Sequence, residues 1–208
     1  MLGQLAILPG MWRSLAALLL SALVVMGSPG PSTISATAMG AAFGIRRSLN
    51  YVGGLIAGTI AVLLAVSAGA VVLVLAIPQG ARLLGLVSAA YIVYLAVRIA
   101  TAPPLSQQSA QANAPAFPGG FLLALLNPKA YLAIAAVFAG TTVVAQSQSL
   151  DGLVKFVALS MMIVVIHISW LMAGVSMARV LRDPVSSRLV NLALATLLLA
   201  TTVIALVG

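Results

Sequence analysis

The chain has 208 residues, 62% of them hydrophobic and 6% charged, and its mean hydropathy of +1.21 sets it apart from soluble domains, whose composition is roughly 25% charged. The formal net charge of +8 comes from ten basic residues that stand mostly singly between apolar runs. They form no basic face or stripe, so nucleic acid is not an expected partner. With no cysteine, one histidine and two acids, disulfides and thiolate catalysis are excluded, and neither a metal nor a cofactor is expected.

An apolar segment of about 20 residues crosses the hydrocarbon core, and six such segments can be drawn along the chain. The first covers about 14–45 and is interrupted by Pro29 and Pro31, which predicts a broken helix. Arg13 and the apolar run behind it look like the start of a secretory signal, but no small-x-small cleavage site follows Met26, and the segment is read as mature chain. The second and third spans, about 51–76 and 83–100, are separated by Pro78-Gln79-Gly80 and predict an antiparallel hairpin. Residues 101–118 turn to Ala, Pro, Ser, Gln and Asn, the composition of a linker. The fourth span, about 119–144, is broken near its start at Asn127-Pro128. A polar loop over 146–152 leads to the fifth, about 153–178, and the sixth covers about 189–207.

The expected fold class is an all-α membrane protein forming a single transmembrane domain over 1–208. Six helices make up two inverted three-helix repeats, 1–100 and 119–208, joined by the 101–118 linker. An odd number of spans per half places the halves in opposite orientations, and the offsets support a duplication: Pro128 follows Pro29 by 99 positions, and the later spans start 102 and 106 positions apart. Cytoplasmic loops carry the excess of Lys and Arg. Arg46, Arg47, Arg98, Arg179, Arg182 and Arg188 fall on one side, against Arg13, Arg82 and Lys155 on the other. This predicts a cytoplasmic linker and periplasmic termini.

A helix broken inside a bilayer leaves backbone N–H and C=O groups that lipid cannot satisfy, so two breaks at matching positions point to a shared polar cavity. At the first, Pro31 suits the opening turn of the second half-helix, Ser28 or Ser32 is placed to cap it, and Ser32, Thr33, Ser35 and Thr37 give it a polar start. Such an N-terminus offers donors and partial positive charge to a carboxylate. The expected solute-binding residues are therefore Ser28, Pro29, Gly30, Pro31 and Ser32 from the first break and Asn127, Pro128 and Lys129 from the second.

Ser28-Pro29-Gly30-Pro31, followed by Gly44-Ile45-Arg46-Arg47-Ser48, Gly54 and Gly58, resembles the LysE/RhtB family of amino-acid exporters. The run from Gly120 to Asn127-Pro128-Lys129 looks like that family's downstream Asn-Pro-Lys signature, and the similarity in length and span pattern covers essentially the whole chain. Ser48 and Ser32 depart from it, where a Gly and an amide or acid are common. The resemblance implies export of amino acids or related small metabolites across the bacterial inner membrane, driven by the proton motive force. The expected partners are then an amino-acid-like solute and the lipid bilayer, with a homo-oligomer left open.

Lys129 is the sharpest single residue, because an ammonium at the bilayer centre costs about 2.5–3.5 kcal/mol on insertion scales. It either faces a carboxylate site or snorkels to the interface. His167, near the middle of the fifth span, changes charge near neutral pH and is the candidate for proton coupling; the plainer alternative is a histidine bonded to a neighbouring helix. Gly54 and Gly58 are read as helix-packing positions. With Asp151 and Asp183 both assigned to loops, the spans hold no acid. An intramembrane enzyme is therefore not expected, since no nucleophile has a base beside it. A non-transport structural or assembly protein is the remaining alternative.

Overall fold

The computed structural model describes residues 2–69, 80–101, 115–177 and 183–207. Seven helices hold nearly all of these: α1 (Leu2–Val25), α2 (Pro31–Ser67), α3 (Gly80–Ala100), α4 (Phe117–Leu125), α5 (Pro128–Ala139), α6 (Gln148–Ser176) and α7 (Pro184–Val207). No strand occurs among the described residues. α2 and α6 are long and apolar enough to cross a membrane, and α4 with α5 forms a further apolar pair bent by 61°. Gly10–Val25 and Pro184–Ala200 are shorter apolar stretches.

Both expected breaks are present, between α1 and α2 and between α4 and α5. The chain also reverses inside α2, just before the loop that the sequence predicts after residue 45. Gly44 adopts φ 71° and ψ 174°, a backbone conformation that L side chains resist. Ser48 Oγ donates to Met39 O at 2.7 Å and Gly44 O at 2.7 Å. A straight helix would hold residues 39 and 48 about 13 Å apart, so this contact measures how sharply the limbs 31–43 and 45–67 fold together. A single glycine thus replaces the loop expected around Arg46 and Arg47, which are helical.

Two further expectations are corrected. The 146–152 loop is shorter than drawn, because Ser147 Oγ caps α6 by accepting from Leu150 N, and Asp151 lies in its first turn. Asp151 is not a loop acid at all. It is buried, pairs with Lys155 at 2.7 Å, and accepts from the Val143 and Val144 N–H groups at 2.6 and 2.9 Å. Lys155 in turn donates to Phe138 O and Thr141 O at 2.9 and 3.1 Å. The pair therefore ties the end of α5 and the segment after it to the start of α6, and Lys155 is not a loop charge either. The turn at Pro78-Gln79, most of the 101–118 linker, and Arg179 and Arg182 lie outside the described residues, as do the side chains of Arg82 and Arg98. Asp183 precedes Pro184 and accepts from Ser186 N at 2.8 Å, a bond that holds its carboxyl below the ordinary value.

Glycines set the helix contacts. Added Cβ atoms at Gly40 and Gly174 would run into the backbone of Leu171 and of Thr37, and at Gly54, Gly58 and Gly120 into Phe117, Phe121 and Tyr51. Gly54 and Gly58 are thus packing positions, against α4. Gly54 and Gly58 face Phe117 and Phe121 in rising order, so the limb 45–67 runs parallel to α4. Thr37 meets Trp170 and Ala41 meets Gly174, so the limb 31–43 runs parallel to α6.

The apolar core falls into two clusters. One gathers Met39, Tyr51, Leu55, Leu95, Leu123 and Leu171; the other gathers Leu18, Val62, Leu63, Ile134, Leu159 and Ile163. Along α2, along α4 and α5, and along α6, the residues of the two breaks and their neighbours fall at the junction between these clusters.

Candidate functional site

The structure brings the two breaks together although 96 positions separate Pro31 from Asn127. Lys129 Nζ donates to Ser28 O at 2.7 Å, to Ser28 Oγ at 2.8 Å and to Pro29 O at 2.8 Å. Its ammonium therefore reaches into the opposite break rather than snorkelling outward, and its three donors all have acceptors. Gly30 makes room for it: a Cβ there would lie 2.7 Å from Lys129 Cδ and 2.9 Å from Nζ.

Asn127 forms the second tie. Its Oδ1 accepts from Lys129 N at 3.2 Å, capping α5 as its position before Pro128 implies. Its Nδ2 donates to Ser32 Oγ at 2.9 Å. One side chain thus starts a helix and clasps the other break.

The cap of α2 differs from the expectation. Gly30 occupies the N-cap position, and its N–H donates to Thr33 Oγ1 at 2.9 Å. Neither Ser28 nor Ser32 supplies the cap, because both are drawn to the second break. Ser28 Oγ also donates to the end of α1, to Val25 O at 2.8 Å. Trp170, which the sequence does not single out, donates from Nε1 to Gly27 O at 3.0 Å, and its own carbonyl accepts from Thr37 Oγ1 at 3.0 Å. The spacing His167–Trp170 on one helical face was the available signal for it.

Behind these contacts lies a cavity of about 40 Å³, lined by Ser28, Gly30, Ser32, Thr33, Asn127 and Lys129 of the breaks. Thr59, Ala133, Ile163 and His167 complete much of the wall. A water needs about 10–15 Å³ of such volume, so the space suits a few waters and is far below the roughly 300–1,000 Å³ of formed ligand pockets. Pro29, Pro31 and Pro128 shape the breaks but are not part of the lining. Thr59, missed from sequence because a lone hydroxyl in an apolar span is common, donates to Leu55 O at 2.7 Å. Among the described residues no group of three or more His, Cys, Asp or Glu is placed to hold a metal.

The family model for the LysE type translocator matches residues 23–207, which takes in both breaks, the Gly44 reversal and all the cavity residues. The chain belongs to the LysE type translocator family. It is a membrane transporter and not an enzyme. A cysteine/O-acetylserine efflux protein of Escherichia coli O139:H28 (strain E24377A / ETEC) is 31% identical over 178 residues, 85% of this chain and 89% of that protein. Proteins of the same name from Escherichia coli (strain K12) and Shigella flexneri are 31% identical over 177 residues, again 85% of this chain and 89% of theirs. No solved structure matches.

Proposed function

We propose that this LysE-type chain exports a small amino acid or closely related metabolite across the inner membrane through the cavity between the two breaks. The observation that carries the reading is the pair of cross-break ties, Lys129 to Ser28 and Pro29, and Asn127 to Ser32. Each joins one half of the chain to the other at the point where helices are interrupted. The solute's carboxylate takes the place of Ser28 and Pro29 on the Lys129 ammonium, exchanging neutral acceptors for a charged one. Cysteine and O-acetylserine, named for the relatives, are the first solutes to test.

In this reading the chain makes six spans in two inverted repeats, with α1 and α4 as the helices before each break. The parallel packing of 31–43 on α6 and of 45–67 on α4 is what such an arrangement requires if the linker end of α4 and the Gly44 reversal share the cytoplasmic side. The termini are then periplasmic, and Arg46 and Arg47 sit on the cytoplasmic side. The cavity lies between two apolar clusters, and rocking one repeat against the other parts them alternately. A hollow of about 710 Å³ bordered by Ser67, Gln148, Asp151 and Lys155 then serves as the outer vestibule. The proton motive force drives the cycle.

The test is flux in proteoliposomes containing the purified chain, with radiolabelled cysteine and O-acetylserine inside. Release faster than from empty vesicles, accelerated by an opposing proton gradient, is the expected result. Release no faster than leakage across a panel of amino acids would refute amino-acid export through this cavity.

A further inference from the structure

The polar groups on the cavity wall are almost all committed to one another. Lys129 uses its three donors on Ser28 and Pro29, Asn127 bridges Lys129 N and Ser32 Oγ, Thr33 Oγ1 receives Gly30 N and donates to Gly30 O at 3.1 Å, and Thr59 is tied to Leu55 O. His167 is the exception. It is 4% exposed, its Nδ1 lies 2.8 Å from Ile163 O one turn back, and its Nε2 is buried with no partner.

A carbonyl oxygen can only accept, so Nδ1 carries the hydrogen, and in the neutral ring Nε2 is a bare lone pair. Because Nδ1 is turned toward its own helix backbone, Nε2 is at the far corner of a ring that lines the cavity. An unpartnered buried acceptor is costly, and no wall residue with a spare donor is bonded to it. The missing donor therefore comes from whatever occupies the cavity.

We propose that His167 Nε2 is the recognition atom for the solute's amine, and that solute and proton compete for this one lone pair. The proposal rests on the function given above and deepens it. A solute lying with its carboxylate on Lys129 presents its ammonium to the rest of the wall, where His167 is the acceptor to spare. The two contacts select a molecule carrying both groups. When the solute leaves, a proton takes Nε2, and the ring must release it before the next amine can bind, so one proton enters for each solute exported. Lys129 from α5 is the other ionisable group on the wall; the break after α1 contributes the hydroxyl of Ser28 and α2 those of Ser32, Thr33 and Thr59. The hydroxyls are not bases that could take the proton in place of His167, and Lys129, with three donors engaged on Ser28 and Pro29, already holds its own.

The experiment is counterflow in proteoliposomes of the full chain, under reducing conditions, with L-cysteine and its amine-free analogue 3-mercaptopropionate as probes. The natural chain is expected to favour cysteine by about tenfold or more in KM, the scale of one buried bond to a charged donor. His167→Leu is expected to erase that preference. His167→Gln puts an amide oxygen near Nε2 but has nothing to titrate; it is expected to raise the cysteine KM several-fold, keep part of the preference, and abolish acceleration by an imposed proton gradient. A Leu variant that still prefers cysteine, or a Gln variant that still responds to the gradient, overturns the proposal. If the Leu variant does not elute as a monodisperse species, the Gln variant alone decides. Cysteine transport by the natural chain with no preference for the amine sinks this inference and leaves the proposed function standing; no transport of any amino acid sinks both.

Discussion

Replacing Lys129 with methionine keeps the stem of the side chain and removes the ammonium. In the structure the ammonium holds Ser28 O, Ser28 Oγ and Pro29 O at 2.7–2.8 Å. Leaving a fully buried acceptor unsatisfied costs about 1–3 kcal/mol, but Ser28 is part-buried and Pro29 exposed, so water reaches these acceptors and the net loss of stability should stay near the low end. The ammonium's bonds to neutral acceptors are already charge-assisted, so what a carboxylate adds is the attraction of an opposite charge, about 1 kcal/mol where the pair is open to solvent and more where water is excluded. The surplus is about 1–2 kcal/mol, or about 5- to 30-fold in KM. Counterflow with cysteine measures that ratio, and a melting curve in detergent measures stability. A KM within twofold of the natural chain, at equal melting temperature, would refute a carboxylate contact at Lys129.

Three further outcomes follow from the packing and the charge distribution. Gly174→Val drives a side chain into the backbone at Thr37, and overpacking of about 1–3 kcal/mol should lower the melting temperature and separate α6 from the limb 31–43; an unchanged melt would mean that the contact is not close. Asp151→Ala leaves Lys155 buried without its partner and also strips Val143 and Val144 of their acceptor. About 3–5 kcal/mol is expected, and the double variant Asp151→Ala with Lys155→Ala should lose less than the sum of the singles in a thermodynamic cycle. Reporter fusions at Gln108 and after the C-terminus should read opposite sides of the membrane, with Gln108 inside, and a C-terminal fusion active only in the cytoplasm would overturn the proposed orientation.

Read by itself, the sequence determined what is local or what depends on the solvent. Long apolar stretches with few charges place the chain in a bilayer, because a bilayer is the solvent in which they are stable. Pro29, Pro31 and Pro128 mark where helices stop, because proline lacks the N–H that a helix interior needs. Asn127 before Pro128 is legible as a cap, and the glycines as points of close approach, because both are properties of a residue and its near neighbours. Several things were settled only by the tertiary structure. Ser28 and Ser32 have the side chains of helix caps, yet both turn to partners about 100 positions away, since an ammonium and an amide across the cavity compete successfully for them. Asp151 reads as a loop acid because an acid beside Gly152 in a polar stretch suggests solvent; it is helical and buried because Lys155 and two backbone N–H groups satisfy it there. Gly44 carries no sequence mark distinguishing a sharp reversal from one more small residue in a helix, and only its positive φ reveals the turn. Whether Lys129 faces inward or snorkels is likewise undecided by its position in the chain. The outcome depends on where acceptors from another helix lie, and that is a property of the packed molecule alone.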